Sequence, residues 1–301
     1  MKLKDINQQD CRELFSSASG LSIAIGPFHF NLKSQICSVS DNFYKLYADF
    51  PLLSSDSLTD FFVRVDKPHG LRRWIKPQVL FYCDDRSPFL PLPYSQAYPL
   101  LEWGMNWCIA QHSHHYLMLH AAVLRKNSIT VILPAESGSG KSTLTALLIN
   151  NGWQLYSDEM ALIDTETLKL RALARPVSLK NQSIDIVKNL NKDFIFSTIV
   201  DDTNKGTITH LKPHNTYAEK STNTASATHI IFPKYETARG INVNSKNKSL
   251  AFMQVVKNSF NYGLLGEIGF DTLDRIINQC ECFDLTYSDN QEAINFFSKL
   301  T

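Results

Sequence analysis

The stretch Ile129-Thr130-Val131-Ile132-Leu133-Pro134-Ala135-Glu136-Ser137-Gly138-Ser139-Gly140-Lys141-Ser142-Thr143 decides the fold. An apolar run rich in β-branched residues enters a Gly/Ser-rich turn. Leu144, Leu147 and Leu148 then recur at helical spacing until Asn150-Asn151-Gly152 stops them. Strand, loop and helix in that order form the context in which G-x-x-x-x-G-K-[ST] is a phosphate cradle rather than an ordinary turn. Gly138 and Gly140 permit the backbone conformations that aim successive N–H groups at phosphate oxygens. Lys141 adds a point charge for the β- and γ-phosphates, and the Ser142 hydroxyl is placed for Mg2+ at the positive end of the helix. The expected nucleotide contacts are therefore Ala135, Glu136, Ser137, Gly138, Ser139, Gly140, Lys141, Ser142 and Thr143, and the expected ligands are ATP and Mg2+. Ala135 stands where the pattern has its first glycine, a change that costs little if the position keeps ordinary backbone angles.

Downstream, Trp153-Gln154-Leu155-Tyr156-Ser157 reads as a short strand ending in Asp158-Glu159, before a second apolar run, Met160-Ala161-Leu162-Ile163. An acid at a strand end beside a phosphate loop is the usual second Mg2+ anchor, so Ser142, Asp158 and Glu159 are the expected metal ligands. In most P-loop ATPases that acid comes after further βα units. Here it follows one helix and one strand, which suits a small kinase core better than a transporter or helicase motor. A hydroxyl attacking a γ-phosphate needs a proton acceptor and surrounding cations. Asp158 is expected as the base with Glu159 and Ser142 sharing the metal, and the reverse assignment of the two acids stays open.

Composition bounds the remaining classes. A length of 301 residues fits two domains, and 44% hydrophobic with 20% charged residues supports packed cores. Lys plus Arg at 30 against Asp plus Glu at 29 leaves a net charge of +1, which gives no electrostatic footprint for a nucleic acid partner. No run reaches the length of a membrane span, and Met1-Lys2-Leu3-Lys4-Asp5 lacks the apolar core of a signal peptide, so no membrane partner and a cytoplasmic location are expected. The six cysteines are scattered without a Cys-x-x-Cys pair, as for free, buried thiols in a reducing compartment. His112-Ser113-His114-His115 has no accompanying cluster at ligand spacing and reads as a loop.

Taken together, His120-Ala121-Ala122-Val123, the loop, and Asp158-Glu159 resemble in order and spacing the C-terminal domain of the HPr kinase/phosphorylase family. The stretches Arg175-Pro176-Val177-Ser178-Leu179-Lys180, 206–213, Ile231-Phe232-Pro233-Lys234-Tyr235 and Asn261-Tyr262-Gly263-Leu264-Leu265-Gly266 are similar to the subgroup called HprK-related kinase A. The resemblance runs from about Trp103 to Thr301. It implies an α/β fold with an HPr-kinase/PEP-carboxykinase-like P-loop core, a site role for His120 near the phosphates, and roles for Arg175 and Lys212 among a cationic supply that also includes Lys180, Lys205 and His210. It further implies an ATP-dependent kinase acting on a serine or other hydroxyl of a small protein or peptide. Hexamers occur in that family, and no feature of this chain itself selects a homo-oligomer. Two departures are visible: the family's acidic pair is two aspartates, and its glycine-rich acceptor-loop signature is not recognisable here. Kinase activity without the phosphorylase reaction is the resulting expectation. A small-molecule hydroxyl kinase acting on a sugar or amino acid is the enzymatic alternative, and a nucleotide-sensing module the non-catalytic one.

Residues 1–97 read as a smaller α/β unit and 98–301 as the kinase-like unit. Leu21-Ser22-Ile23-Ala24-Ile25 and Phe28-His29-Phe30-Asn31-Leu32 bracket Gly26-Pro27 as a hairpin. A helix is expected over 41–49, strands over 61–65 and 79–82, and a boundary element at Pro88-Phe89-Leu90-Pro91-Leu92-Pro93. A helix over 98–110 leads into the second unit, and amphipathic helices are expected over 249–258, 270–278 and 291–300. The polar stretch 192–226 is expected to be a mobile loop that orders on substrate binding.

Overall fold

The computed structural model describes residues 1–54, 56–136, 138–212, 224–237 and 240–301. It is a mixed α/β structure. The expected hairpin, Leu21–Ile25 with Phe28–Lys33, opens a five-stranded sheet completed by Phe61–Asp66, Gln78–Cys83 and the short edge strand Leu92–Pro93. The Pro-rich stretch thus supplies a strand pairing Val79 with Leu92, at a sheet edge where a proline removes no needed ladder bond. The helix expected over 41–49 is Cys37–Leu46. It starts earlier because Val39, Phe43 and Leu46 lie at helical spacing on the buried face.

The core of the N-terminal unit does not stop at residue 97. The helix Ala97–His112 buries Leu100, Leu101, Met105, Cys108 and Ile109 in one apolar cluster with the N-terminal sheet, and that cluster continues through Tyr116, Met118, Met160, Leu162 and Leu173. The helix expected to open the kinase-like unit therefore belongs by packing to the N-terminal core.

A six-stranded sheet carries the loop. Its order is Asn242–Ser245, Glu281–Tyr287, His229–Tyr235, Ile129–Pro134, Ala121–Lys126 and Gln154–Ser157, with parallel pairing only around His229–Tyr235. Side chains alternate cleanly across it. Ala122, Leu124, Val131 and Leu133 pack with Leu144 and Leu148 of the loop helix Lys141–Asn150 and with Phe297 of the last helix, Asn290–Leu300. On the other face Ala121, Val123, Ile132 and Ile230 pack with Leu273 and Ile276 of the helix Glu267–Gln279 and with Val255 of Lys248–Lys257. A four-stranded sheet, Thr224–Ala225, Leu170–Arg171, Ala161–Asp164 and Tyr116–Leu119, lies beyond that face.

The stretch expected as a mobile loop is in part regular structure. Gly206–Leu211 pairs with Val177–Lys180 on one side and with Val200–Thr203 on the other in a three-stranded sheet, in which Val200, Ile208, Thr209, His210 and Leu211 are all buried. Residues 213–223 of that stretch lie outside the described residues.

Candidate functional site

The chain changes sheet twice at one place. Leu119 pairs with Ala161 in the four-stranded sheet, and Val123 pairs with Ser157 in the six-stranded one. His120 lies between these registers on one side and Asp158-Glu159 on the other, so the corner sets them opposite each other. Ala121 pairs with Pro134, so the phosphate loop leaves the sheet at the same corner.

Gly138 and Gly140 have φ of +90° and +88°, the left-handed region that glycine enters without cost. Ala135 is not among the residues with positive φ, which is why alanine is tolerated there. The loop is pinned from outside, since the Tyr235 N–H donates to the Ser139 carbonyl at 3.0 Å. A Cβ at Gly140 would sit 3.1 Å from the Tyr235 Cβ and 3.2 Å from the Tyr287 hydroxyl. Gly140→Ala therefore combines backbone strain of ~1–2 kcal/mol with crowding against the strand that fixes the loop. It is expected to weaken ATP binding at least about tenfold, whereas Ala135→Gly leaves it within about twofold; titration with a fluorescent nucleotide measures both.

Beneath the loop, the Ser142 hydroxyl donates to Asp158 Oδ2 at 3.1 Å, and the Ser178 N–H reaches the same oxygen at 3.3 Å. Lys141 Nζ donates to the Asp158 carbonyl and stands 3.7 Å from Oδ1. Asp158 is 3% exposed, and its Oδ1 is buried without a hydrogen-bond partner among the described residues. A hydroxyl beside an under-satisfied carboxylate suits Mg2+, which takes one or two protein oxygens and completes its shell with phosphate and water. Among the described residues no group of three or more His, Cys, Asp or Glu side chains is arranged for a metal ion.

Glu159 faces the other way. It lines an open cleft of about 630 Å³ in front of the loop together with His120, Ser142, Ser178, Lys180 and Lys205, whereas Asp158 does not line it. The Asn106 amide donates to Glu159 Oε2 at 2.6 Å. Burial alone would raise the Glu159 carboxyl, but Lys141, Lys205, Arg175 and Lys180 outweigh it and the pKa falls below its ordinary value. Burial and then Lys141 lower the pKa of His120, leaving the imidazole neutral near pH 7. Lys180 is lowered by burial and by neighbouring Lys205.

Two expected cations lie elsewhere. The Arg175 guanidinium binds Glu102 Oε2 at 2.5 Å, the Tyr47 hydroxyl at 3.2 Å and the Asn106 side-chain carbonyl. It is 6% exposed and clasps the N-terminal core rather than a phosphate. Its link to the site is indirect: Asn106 joins it to Glu159. Lys212 pairs with Asp49 at 2.7 Å and does not line the cleft, because its strand carries it to the helix-end residues of the N-terminal unit. Lys212→Ala is expected to leave the KM for ATP within about twofold and to cost under ~1 kcal/mol of stability, as for other partly exposed ion pairs. Steady-state kinetics and a urea titration check the two halves. His210 is 2% exposed, edge-on to Tyr98 at 5.5 Å, with burial depressing its pKa, and so is a neutral core residue.

No protein-family model matches the chain, and no curated protein does. One solved structure, the Hpr(Ser) kinase/phosphatase from Coxiella burnetii, is similar over 61% of this chain and 96% of its own, at 12% identity and a TM-score of 0.27. No helix among the described residues is long and apolar enough to cross a membrane.

Lys180 and Lys205, expected only as part of the cationic supply, line the cleft, and Ser178 and Asn106 are the site residues absent from the expected set. Strand alternation holds the signal for Ser178 and Lys180. Val177 and Leu179 are core residues, so Ser178 and Lys180 must share the opposite face. Lys205 sits in the turn between Val200–Thr203 and Gly206–Leu211, a position only the sheet pairing reveals.

Proposed function

We propose that this chain is an ATP- and Mg2+-dependent phosphotransferase that moves the γ-phosphoryl group to a serine or other hydroxyl of a small protein or peptide. The observation that carries the reading is the opposed pair of acids at one corner: Asp158 under the loop on Ser142, and Glu159 turned into the cleft. This geometry favours the reverse of the expected assignment. Asp158 and Ser142 would hold the metal, and Glu159 would serve as the proton acceptor.

In this scheme the phosphates seat on the loop N–H groups, with Lys141, Lys180 and Lys205 absorbing charge as the γ-phosphoryl group moves. Asp158 and Ser142 would hold Mg2+, which would supply positive charge to offset the negative charge developing on the leaving group. Glu159 orients the acceptor hydroxyl and takes its proton through Oε1, since Oε2 is held by Asn106. The acceptor oxygen forms its bond to the γ-phosphorus, the bond from that phosphorus to the bridging oxygen breaks, and ADP leaves. His120 lines the same cleft and is positioned to hydrogen-bond a phosphate oxygen.

Transfer of labelled γ-phosphate from Mg-ATP into a size-fractionated extract of the source cells tests the reading. Label in a small protein or peptide supports it. Label confined to metabolites replaces the acceptor class, and ATP binding without transfer makes the chain a nucleotide sensor.

A further inference from the structure

A second cleft, of about 580 Å³, adjoins the first, and His120, Glu159, Lys180 and Lys205 line both. A molecule in the second cleft reaches Glu159 from the side away from the loop. We infer that this second cleft receives the phosphoryl acceptor and selects one whose hydroxyl is accompanied by an anionic group and a flat apolar group. The inference rests on the phosphotransferase reading and gives it a substrate class.

The charge comes first. Three lysines, Lys180, Lys205 and Lys257, line this cleft against a single carboxylate, Glu159, and none of the three makes an ion pair among the described residues. Lys180 and Lys205 also face the nucleotide cleft, where the donor's phosphates engage them. Lys257 lines only the second cleft, from the last turn of the helix Lys248–Lys257, so its charge answers to the acceptor alone. A cationic acceptor would meet repulsion there, and a neutral one would gain nothing from it.

The apolar part follows from helix geometry. Trp103, Asn106, Trp107 and Ala110 recur at three- and four-residue spacing on Ala97–His112, so one helix face forms a wall of the cleft. Phe260, 49% exposed and edge-on to His120 at 5.9 Å, lines the cleft as well. Lys205 stands over the Trp103 ring at 5.4 Å, which holds that ring and carries the cation to the junction of the clefts. Indole and phenyl faces beside lysines fit a flat side chain next to a carboxylate, with Glu159 at the inner end for the hydroxyl.

The test uses short synthetic peptides with one serine and one flanking phenylalanine, in acidic, neutral and basic versions, and glyceric acid as a small hydroxy acid. Wild type is expected to phosphorylate the acidic peptide with kcat/KM about tenfold or more above the basic one, and Lys257→Glu to erase or invert that ranking while the KM for ATP stays within about twofold. Trp107→Ala is expected to raise the KM for the phenylalanine-bearing acidic peptide about tenfold relative to a version with alanine there. Use of glyceric acid in preference to all peptides overturns the inference in its apolar part, even where the dependence on Lys257 is kept. Equal use of acidic and basic peptides, or a ranking indifferent to Lys257→Glu, overturns the inference. If Mg-ATP binds but no acceptor is labelled, the phosphotransferase reading fails separately. Anisotropy of the fluorescent acidic peptide with Mg2+ and a non-hydrolysable ATP analogue then decides the cleft: binding lost in Lys257→Glu supports it, and no binding overturns it.

Discussion

Glu159→Gln is expected to lower kcat for phosphoryl transfer about 10²–10⁴-fold, the range for removing a positioned proton acceptor, with the KM for ATP changed little. The amide still accepts the hydrogen bond from Asn106 but has no site for the acceptor's proton. Asp158→Asn is expected to act differently. The carbonyl of asparagine keeps the contacts to Ser142 and the Ser178 N–H, while Lys141 and the metal lose their carboxylate. Its effect should therefore appear as weaker Mg-dependent ATP binding as well as lost turnover. A Mg2+ titration of both variants separates the roles. Should Asp158→Asn lose only kcat and Glu159→Gln only metal affinity, the two assignments are reversed. The pH profile adds a check. The Glu159 pKa is lowered, so the base stays ionised through the ordinary glutamate range near ~4.3. Activity limited by this carboxylate should persist as pH falls through that value, and fall only below it in wild type. A limb near neutrality would point to His120 instead.

The parts of the site that are local in sequence were legible. The loop is one strand, one turn and one helix, and its glycines carry their own conformational signal at φ near +90°. Ala135 was readable as tolerable because the pattern needs glycine only where φ is positive. The two acids were also found, but not which of them turns toward the cleft. Adjacent residues at a strand end point to opposite sides, and only the corner between the two sheets says which side holds the nucleotide. Long-range cations were the weakest inference. Arg175 and Lys212 were named by motif likeness, yet each is claimed by an acid of the N-terminal unit, Glu102 or Asp49. No spacing rule reports partners that distant. The helix Ala97–His112 is apolar nearly all round, so its sequence announces burial without saying in which core.

The largest stability effect is expected at Arg175, and it bears on why the site depends on the N-terminal unit. Arg175 and Glu102 are 6% and 3% exposed, and Tyr47 and Tyr98 complete the carboxylate's hydrogen bonds at 3.0 and 2.5 Å. Arg175→Ala leaves Glu102 buried without its counter-charge, a loss of about 3–5 kcal/mol for a pair of this kind. The double variant Arg175→Met with Glu102→Leu removes both charges and should recover part of that loss, the stranded carboxylate, while the buried Tyr47 and Tyr98 hydroxyls, left without their acceptor, keep the rest. Urea unfolding measures each step of the cycle. Activity should not recover with stability. Arg175 holds the Asn106 side-chain carbonyl, and the Asn106 amide holds Glu159, so the double variant refolds the core but frees Asn106 to rotate. Asn106→Leu supplies the complementary case, breaking the link to Glu159 while the Arg175–Glu102 pair remains. Both variants should then share a reduced kcat, and a full return of kcat in the double variant would mean that the clasp stabilises the core without orienting the acid.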